Sequence, residues 1–267
     1  MGARALPINH VERVWGRRDL AGPFVPPAEL AQRPIGEIWF ESAADAPLLV
    51  KYLFTAERLS IQVHPDDRAA RALGYARGKD EAWFVLDAEP GTVIGLGLRR
   101  AMEREELRAA AAHGSIEQLL EWRAVRVGDV FYSPAGTVHA IGGGLSLVEI
   151  QQNLDLTYRL YDYGRGRELH LDEAVAVADL GPWAGPFEPI EAGPGRTVLA
   201  AGGAFVLERW TKDSDVRAVV PAGTMLIPLN REAGTVLAAE GRVALKGPVD
   251  LLAAYPGGEI RDLELGS

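Results

Sequence analysis

Short apolar segments separated by turn residues run through most of the chain. Examples are "PLLVKYLF", "AWFVLD", "GTVIGLGL", "GDVFYSP", "SLVEIQQN" and "FVLERW". Each segment has the length of one β-strand, and 30 glycines and 17 prolines are scattered between and around them. Closely spaced strand-length segments with frequent turn signals predict an all-β sandwich or barrel.

A few segments carry helical patterns instead. The segment 102–114, "MEREELRAAAAHG", is rich in strong helix formers and ends at a glycine. Ser115 and Gln118 then have the spacing of a capping box for a second helix. A third short helix is predicted over 171–180. We therefore expect a β core with a small helical insertion at about residues 102–122.

The segment 180–195, "LGPWAGPFEPIEAGPG", contains four prolines and four glycines, which is typical of a linker or a domain boundary. We interpret residues 1–185 as one domain that includes the helical segment. Residues 186–267 then form a second, smaller β domain. That size lies near the low end for an independent core, so we expect it to pack on the first.

Composition limits the classes of partner. The chain has 267 residues and a net charge of -9, which argues against binding nucleic acid or an anionic membrane surface. A phosphorylated small substrate is still allowed, because a local group of Lys and Arg can hold a phosphate in an acidic protein. The sequence contains no cysteine, so any metal must be bound by His, carboxylates, amides or water.

The sequence also predicts where the protein resides. The start, "MGARALPINHVERVWG", has no apolar core of a signal peptide. No apolar run reaches the length of a membrane span. We therefore expect a cytoplasmic protein that does not interact with membranes.

The stretch "LSIQVHPDD", 59–67, has alternating apolar and polar positions, as in a strand with one buried face. Gln62 and His64 therefore project together from the opposite face, just before a turn that begins at Pro65. Two interpretations stay open for this pair on the residues alone. It is an ordinary polar strand face, or it is part of a metal site.

A second stretch, "GDVFYSPAGTVHA" at 128–140, has the spacing G-x5-P-x-G-x-x-H. This pattern predicts a strand, a Pro-x-Gly turn and a second strand that begins near His139. The hairpin would place His139 on its inner face, where metal ligands from neighbouring strands can meet. The alternative is an ordinary hairpin with an incidental histidine.

The spacing G-x5-P-x-G-x-x-H resembles the second signature motif of the cupin family. Longer segments resemble one branch of it, the type I mannose-6-phosphate isomerases in their short bacterial form; these are "LVKYLFTAERLSIQVHPDD", "GKDEAWFVLDAEPGTVIGLG", "YSPAGTVHAI" and "LVEIQQNLDLTYRLYDYGR". The resemblance covers residues from about 12 to 178 and fades beyond 195. It implies an all-β cupin fold, a jelly-roll β-barrel with a small helical insertion, and a second, smaller, degenerate cupin-like β unit at the C-terminus.

The same resemblance implies a metal site. One zinc ion per chain would be bound by Gln62, His64, Glu81 and His139. Two imidazoles, a carboxylate and an amide oxygen suit zinc and leave room for water or a substrate oxygen. Ligand type alone does not separate zinc from manganese, cobalt or iron.

The resemblance further implies an aldose–ketose isomerase that interconverts mannose 6-phosphate and fructose 6-phosphate through an enediolate. The implied catalytic residues are Arg159, Lys79, Asp155 and Lys51. Asp155 lies four residues before Arg159, so we expect the two on one face of a strand. Arginine stays protonated, so Arg159 would stabilise charge or bind phosphate, unless it only pairs with Asp162. The catalytic base stays open between a metal-bound hydroxide, Lys79 and Asp155.

Two other functions stay open. One is a cupin isomerase or epimerase that acts on another sugar phosphate, and the other is a non-catalytic, metal-containing cupin that binds a sugar. Glu149 and Gln151 alternate onto one strand face, and we interpret them as residues that orient His139. The sequence predicts neither the oligomeric state nor further phosphate-binding residues.

Overall fold

The computed structural model, which describes residues 2–229 and 233–266, is built around three antiparallel β-sheets. The strands are β1 (Ala3–Ala5), β2 (Ile8–Arg17), β3 (Ile35–Phe40), β4 (Leu48–Thr55), β5 (Ile61–Val63), β6 (Glu81–Ala88), β7 (Val93–Leu98), β8 (Leu120–Ala124), β9 (Val130–Ser133), β10 (His139–Ile141), β11 (Leu145–Gln152), β12 (Tyr158–Tyr161), β13 (Ile190–Gly193), β14 (Arg196–Ala201), β15 (Phe205–Lys212), β16 (Val216–Pro228), β17 (Leu237–Leu245) and β18 (Val249–Pro256). The helices are α1 (Asp67–Ala72), α2 (Arg104–His113), α3 (Ile116–Leu119) and α4 (Leu171–Val177).

The first two sheets face each other and enclose a core. The six-stranded sheet has the order β2-β3-β4-β11-β6-β9, and the five-stranded sheet has the order β12-β5-β10-β7-β8. Leu53, Trp83 and Leu147 of the first sheet pack with Ile94 and Ile141 of the second. Apolar side chains from both inner faces thus exclude water from the space between the sheets.

The third sheet covers the other face of the six-stranded sheet. Its order is β1-β17-β16-β18-β15-β14-β13. Val50 and Phe84 of the six-stranded sheet share one core cluster with Phe205, Leu207 and Ile227 of the third sheet. Strand β4 is therefore buried on both faces, which explains why "LLVKYLFT" is almost continuously apolar.

Residues beyond 185 form β13 to β18, as the prediction of a C-terminal β unit requires. This sheet also includes β1 from the N-terminus, which pairs with β17. The division into 1–185 and 186–267 stays a prediction, and its outermost residues, 1 and 267, lie outside the described parts of the chain.

The helices are shorter than the sequence pattern predicted. The helix predicted over 102–114 runs from Arg104 to His113 and is capped by Gly114 at φ 76°, a conformation that glycine adopts without strain. The prediction of a capping box at Ser115 and Gln118 is wrong, because the Ser115 side chain makes no capping hydrogen bond. Helix α1 was not predicted, although Asp66 caps it by accepting a hydrogen bond from the backbone N–H of Ala69 at 2.6 Å.

A fully buried ion pair lies in the third sheet. The Arg196 guanidinium donates to Glu208 through Nε and Nη2 at 3.0 and 2.7 Å. The same carboxylate accepts hydrogen bonds from Trp210 Nε1 and the Tyr255 hydroxyl, each at 2.7 Å. Arg196 also donates to three backbone carbonyls, including those of residues 261 and 263, and so fastens the C-terminal segment to the sheet.

Among the described residues, no helix has the length and apolarity needed to cross a membrane. The cytoplasmic location stays a prediction of the sequence.

Candidate metal centre and cavity

Four polar side chains meet between the first two sheets. Gln62 on β5 lies directly opposite His139 on the neighbouring strand β10. His64 follows the end of β5, and Glu81 is the first residue of β6 in the facing sheet. The antiparallel register and the facing of the sheets therefore bring the four predicted metal ligands together.

The donor atoms of this group are close and shielded from water. His64 Nε2 is 3.2 Å from Glu81 Oε1, and His139 Nε2 is 3.5 Å from Glu81 Oε2. One donor atom from each of these three residues lies within 4.8 Å of the others. Their side chains are 1–2% exposed. This spacing is compatible with one ion bound at the centre of the group.

Hydrogen bonds to the backbone orient both imidazoles. His64 Nδ1 is 3.0 Å from the carbonyl oxygen of Leu156, and His139 Nδ1 is 2.9 Å from that of Thr137. Because a carbonyl oxygen only accepts, each Nδ1 carries the proton and each Nε2 presents a lone pair toward Glu81. A carbonyl that fixes the ring in this way is a frequent partner of a metal-binding histidine.

Two atoms of the group are buried without a hydrogen-bond partner among the described residues. They are His64 Nε2 and Glu81 Oε2. An unpaired buried lone pair is costly, and a divalent cation would satisfy both atoms at once. The residues present therefore fit a metal ion.

The electrostatic environment also favours metal-binding protonation states. Burial lowers the pKa of His64 to about 4, and burial likewise lowers the pKa of His139. Burial alone would raise the pKa of Glu81, but neighbouring positive charge, with the Lys79 ammonium 3.1 Å away, holds it well below its usual range. Neutral imidazoles and an ionised carboxylate are the forms that bind metal.

Gln62 can supply a fourth metal-ligand atom, its side-chain oxygen, if the amide group is rotated by a half-turn. Its Nε2 is 3.3 Å from His139 Nε2, and its Oε1 accepts a hydrogen bond from the Ser60 hydroxyl at 3.0 Å. A hydroxyl can accept as well as donate. A half-turn of the amide therefore keeps the contact with Ser60 and points the oxygen at the group.

A cavity of about 520 Å³ opens beside this group. All four predicted catalytic residues line it: Arg159, Lys79, Asp155 and Lys51. The other charged residues on its wall are Glu12, Arg13, Glu37, Glu81, Glu149 and Arg167. The wall thus combines cationic and acidic side chains, and a polar cavity of this size suits a small, polar ligand.

Both lysines are buried against carboxylates. Lys79 Nζ lies 3.1 Å from Glu81, and Lys51 Nζ lies 3.4 Å from Glu149. Lys51 also lies over the Trp39 ring, 4.3 Å from its centroid. Burial opposes the charge of Lys79, but Glu81 and Glu149 outweigh this effect and raise its pKa. Lys79 is therefore a cation at neutral pH.

Asp155 and Arg159 reach the cavity by a different route from the predicted one. Strand β12 begins at Tyr158, so Asp155 lies in the loop before it, and the argument from a shared strand face is wrong. Arg159 Nη1 donates to the carbonyl of Glu168 at 2.6 Å. Its Nε is buried and has no partner in the described parts of the chain.

The alternative pairing of Arg159 with Asp162 is wrong. The buried Asp162 carboxylate instead accepts hydrogen bonds from Arg165 and Arg167, each at 2.7 Å. This contact holds Arg167 at the cavity wall. Sequence reasoning missed Arg167, because an arginine in a glycine-rich loop gives no sign of which way it points.

Glu149 and Gln151 do not orient His139 as predicted. Glu149 accepts from the Trp83 indole at 3.1 Å and faces Lys51. Burial and the charge of Glu81 raise the pKa of Glu149 to about 7. Gln151 donates to two backbone carbonyls at the end of its own strand.

The two facing sheets and the buried His/Glu/His group define a β-barrel protein with a candidate metal centre at the base of a polar cavity. The chain is similar to known proteins in both sequence and structure. It is 36% identical over 213 residues to the mannose-6-phosphate isomerase of Streptococcus mutans serotype c, which covers 74% of this chain and 63% of that relative. It is 43% identical over 141 residues to the mannose-6-phosphate isomerase ManA of Bacillus subtilis, which covers 50% of this chain and 44% of that relative.

A solved structure of the mannose 6-phosphate isomerase from Bacillus subtilis matches with a TM-score of 0.77 and 26% identity, over 96% of this chain and 100% of that one. No family model matches the chain. The sequence matches thus span less than two-thirds of these curated relatives' length, at 63% and 44%.

The chain is similar in sequence and in structure to proteins named mannose-6-phosphate isomerase, and the resemblance seen in its motifs is confirmed. The predicted all-β cupin fold class is confirmed with it. The structural match extends over 96% of the chain and so includes the C-terminal sheet, where the sequence resemblance fades.

Proposed function

We propose that the protein is a metal-dependent aldose–ketose isomerase that interconverts mannose 6-phosphate and fructose 6-phosphate. The observation that carries the proposal is a pair of buried atoms, His64 Nε2 and Glu81 Oε2, that have no hydrogen-bond partner among the described residues and lie beside a cavity whose wall includes two lysines and three arginines. The homologues named mannose-6-phosphate isomerase support the choice of substrate.

Zinc is the metal we propose, held by Gln62, His64, Glu81 and His139. When bound, a divalent metal would polarise the carbonyl group of the open-chain sugar. The difficult step is removal of a C–H proton beside a carbonyl. The remaining chemistry falls to side chains of this chain.

Lys79 and Lys51 are positioned to stabilise negative charge on the substrate. Each ammonium is buried, at 3% exposure, and each contacts a carboxylate. Fixed charges in a site shielded from water stabilise a developing oxyanion without reorganising first. We propose that both lysines stabilise the enediolate.

Asp155 and Lys79 are the two side chains proposed to exchange a proton with the substrate. Both line the cavity. A proton leaving C2 and returning to C1 needs one group within hydrogen-bond reach of both carbons. Lys79 is protonated and can therefore only donate a proton. Asp155 is the stronger candidate of the two for accepting the proton from C2.

Arg159 and Arg167 are proposed to bind the phosphate. Burial lowers the pKa of Arg159, and the like charge of Arg167 lowers it further. A phosphate dianion bound between the two guanidinium groups would relieve this repulsion. Guanidinium groups also match phosphate oxygens in geometry.

Turnover of a panel of sugars tests the proposal. We expect NMR to show interconversion of mannose 6-phosphate and fructose 6-phosphate, with kcat/KM for unphosphorylated mannose lower by at least about 10³-fold. A preference for another sugar phosphate would favour the second function, an isomerase or epimerase of different specificity. Sugar binding with no turnover of any of them would favour the non-catalytic cupin.

A further inference from the structure

Arg13 lies in the middle of β2, and its side chain lines the cavity. Its Nε and Nη2 donate to the two carboxylate oxygens of Glu37 at 3.2 and 2.9 Å. Its Nη1 donates to the backbone carbonyl of Glu12 at 3.2 Å. A guanidinium has five N–H groups, so this arrangement engages three of them. The others have no partner within the described residues.

Glu37 fixes this guanidinium in place. The carboxylate is about nine-tenths buried and also accepts a hydrogen bond from the indole of Trp39. Burial opposes its ionisation, but the charges of Lys51 and Arg13 outweigh the effect and lower its pKa. Glu37 is therefore a fixed anion that holds Arg13 in a bidentate pair.

The third sheet contains the same arrangement of arginine, glutamate and tryptophan, but there it is fully buried. Arg196 makes a bidentate pair with Glu208, which also accepts from the indole two residues later, Trp210. There the arginine is 1% exposed and its other N–H groups bond backbone carbonyls. Arg13, by contrast, keeps 32% of its side chain exposed and faces the cavity. The Arg13–Glu37 pair thus leaves N–H groups available to a ligand, whereas the Arg196–Glu208 pair leaves none.

The charge balance indicates what Arg13 would bind. Glu37 compensates its charge directly, whereas Arg159 has no ion-pair partner among the described residues. A phosphate dianion would prefer Arg159, and also Arg167, which shares the single carboxylate of Asp162 with Arg165 and so is only partly compensated. The free N–H groups of a compensated guanidinium are suited to uncharged oxygens, such as the hydroxyls of a sugar.

We propose that Arg13 is a substrate-binding residue that hydrogen-bonds hydroxyl groups of the sugar, and that Glu37 is the positioning residue that holds it. This inference rests on the proposed function. It adds a hydroxyl-binding residue on the six-stranded sheet, whereas Arg159 lies on the five-stranded sheet.

The test compares Arg13→Gln with Arg17→Gln, a matched control on the same strand whose arginine pairs with Asp19 outside the cavity. We expect Arg13→Gln to raise KM for mannose 6-phosphate by about 10- to 100-fold, the loss typical of hydrogen bonds to a charged group, with kcat changed far less. Arg17→Gln should leave both constants near those of the unsubstituted protein. Glu37→Gln should raise KM in the same way, and Glu37→Asp should restore part of the loss.

Inhibition by inorganic phosphate distinguishes residues that bind the phosphate group from residues that bind the sugar hydroxyls. We expect Arg13→Gln to leave the inhibition constant of phosphate unchanged, whereas Arg167→Gln raises it. Thermal midpoints and metal content show whether each variant folds. If Arg13→Gln does not fold, Arg13→Lys replaces it, because lysine keeps the charge but cannot form the bidentate pair.

Three results would overturn the inference. In the first, KM of Arg13→Gln equals that of Arg17→Gln while the unsubstituted protein is active, so that only the inference fails. In the second, Arg13→Gln weakens phosphate inhibition as much as Arg167→Gln does, which assigns Arg13 to the phosphate. In the third, the unsubstituted protein does not turn over mannose 6-phosphate, which removes the proposed function and this inference together.

Discussion

Replacing His139 by alanine is expected to remove most of the bound metal and to lower kcat/KM for mannose 6-phosphate by at least about 10³-fold. The reason is that His139 supplies one of three donor atoms that lie within 4.8 Å of one another. The hydrogen bond from His139 Nδ1 to the carbonyl of Thr137 fixes the ring, so that the lone pair on Nε2 faces the other ligands. Metal analysis of the purified variant and the isomerase assay measure the two effects.

His113→Ala is the matched control for this experiment. His113 is exposed at the end of α2, away from the cavity lining. Its replacement should change neither metal content nor turnover. A His139→Ala protein that retains full metal and full activity would remove His139 from the ligand set.

The largest effect on stability is expected from Arg196→Met. This substitution leaves Glu208 as an unpaired charge in the core of the third sheet, where the pair is 0–1% exposed. It also leaves three backbone carbonyls without their donor. Breaking a buried pair by removing one partner costs about 3–5 kcal/mol. For a chain of this size, that loss lowers the thermal midpoint by about 6–20 °C.

The neighbouring pair of Arg209 and Asp250 provides the control. It is also bidentate, but its side chains are 42% and 36% exposed. Arg209→Met should therefore cost about 1 kcal/mol or less. The double variant Arg196→Met with Glu208→Leu should recover part of the loss, because it removes the stranded charge. Equal midpoints for Arg196→Met and Arg209→Met would contradict this account of the C-terminal sheet.

The predictable part of the fold was its strand content. Alternation around Gln62 and His64 and the Pro-x-Gly turn before His139 are local signals, and each corresponds to an observed strand. Strand length and the exact ends of helices depend on tertiary contacts, so the capping box at Ser115 was wrong. The cap at Asp66 is a local signal that could have been used to predict α1.

The candidate site was predictable where one short motif carries the residues. Gln62 and His64 lie two residues apart, and the pairing of β5 with β10 adds His139. Arg13 and Glu37 are 24 residues apart, and nothing local indicates that they pair. Asp155 was assigned to a strand face, but a loop carries it to the cavity. Contacts made by loops and by distant hairpins are fixed only by the folded chain.

Removal and return of the metal tests the central claim most directly. The protein is stripped with a chelator, its metal content is measured, and mannose 6-phosphate isomerase activity is followed in a coupled assay before and after addition of zinc. We predict that activity disappears with the metal and returns as about one zinc ion per chain is bound at the single proposed site. Full activity in metal-free protein, or no metal bound at all, would contradict the assignment of Gln62, His64, Glu81 and His139.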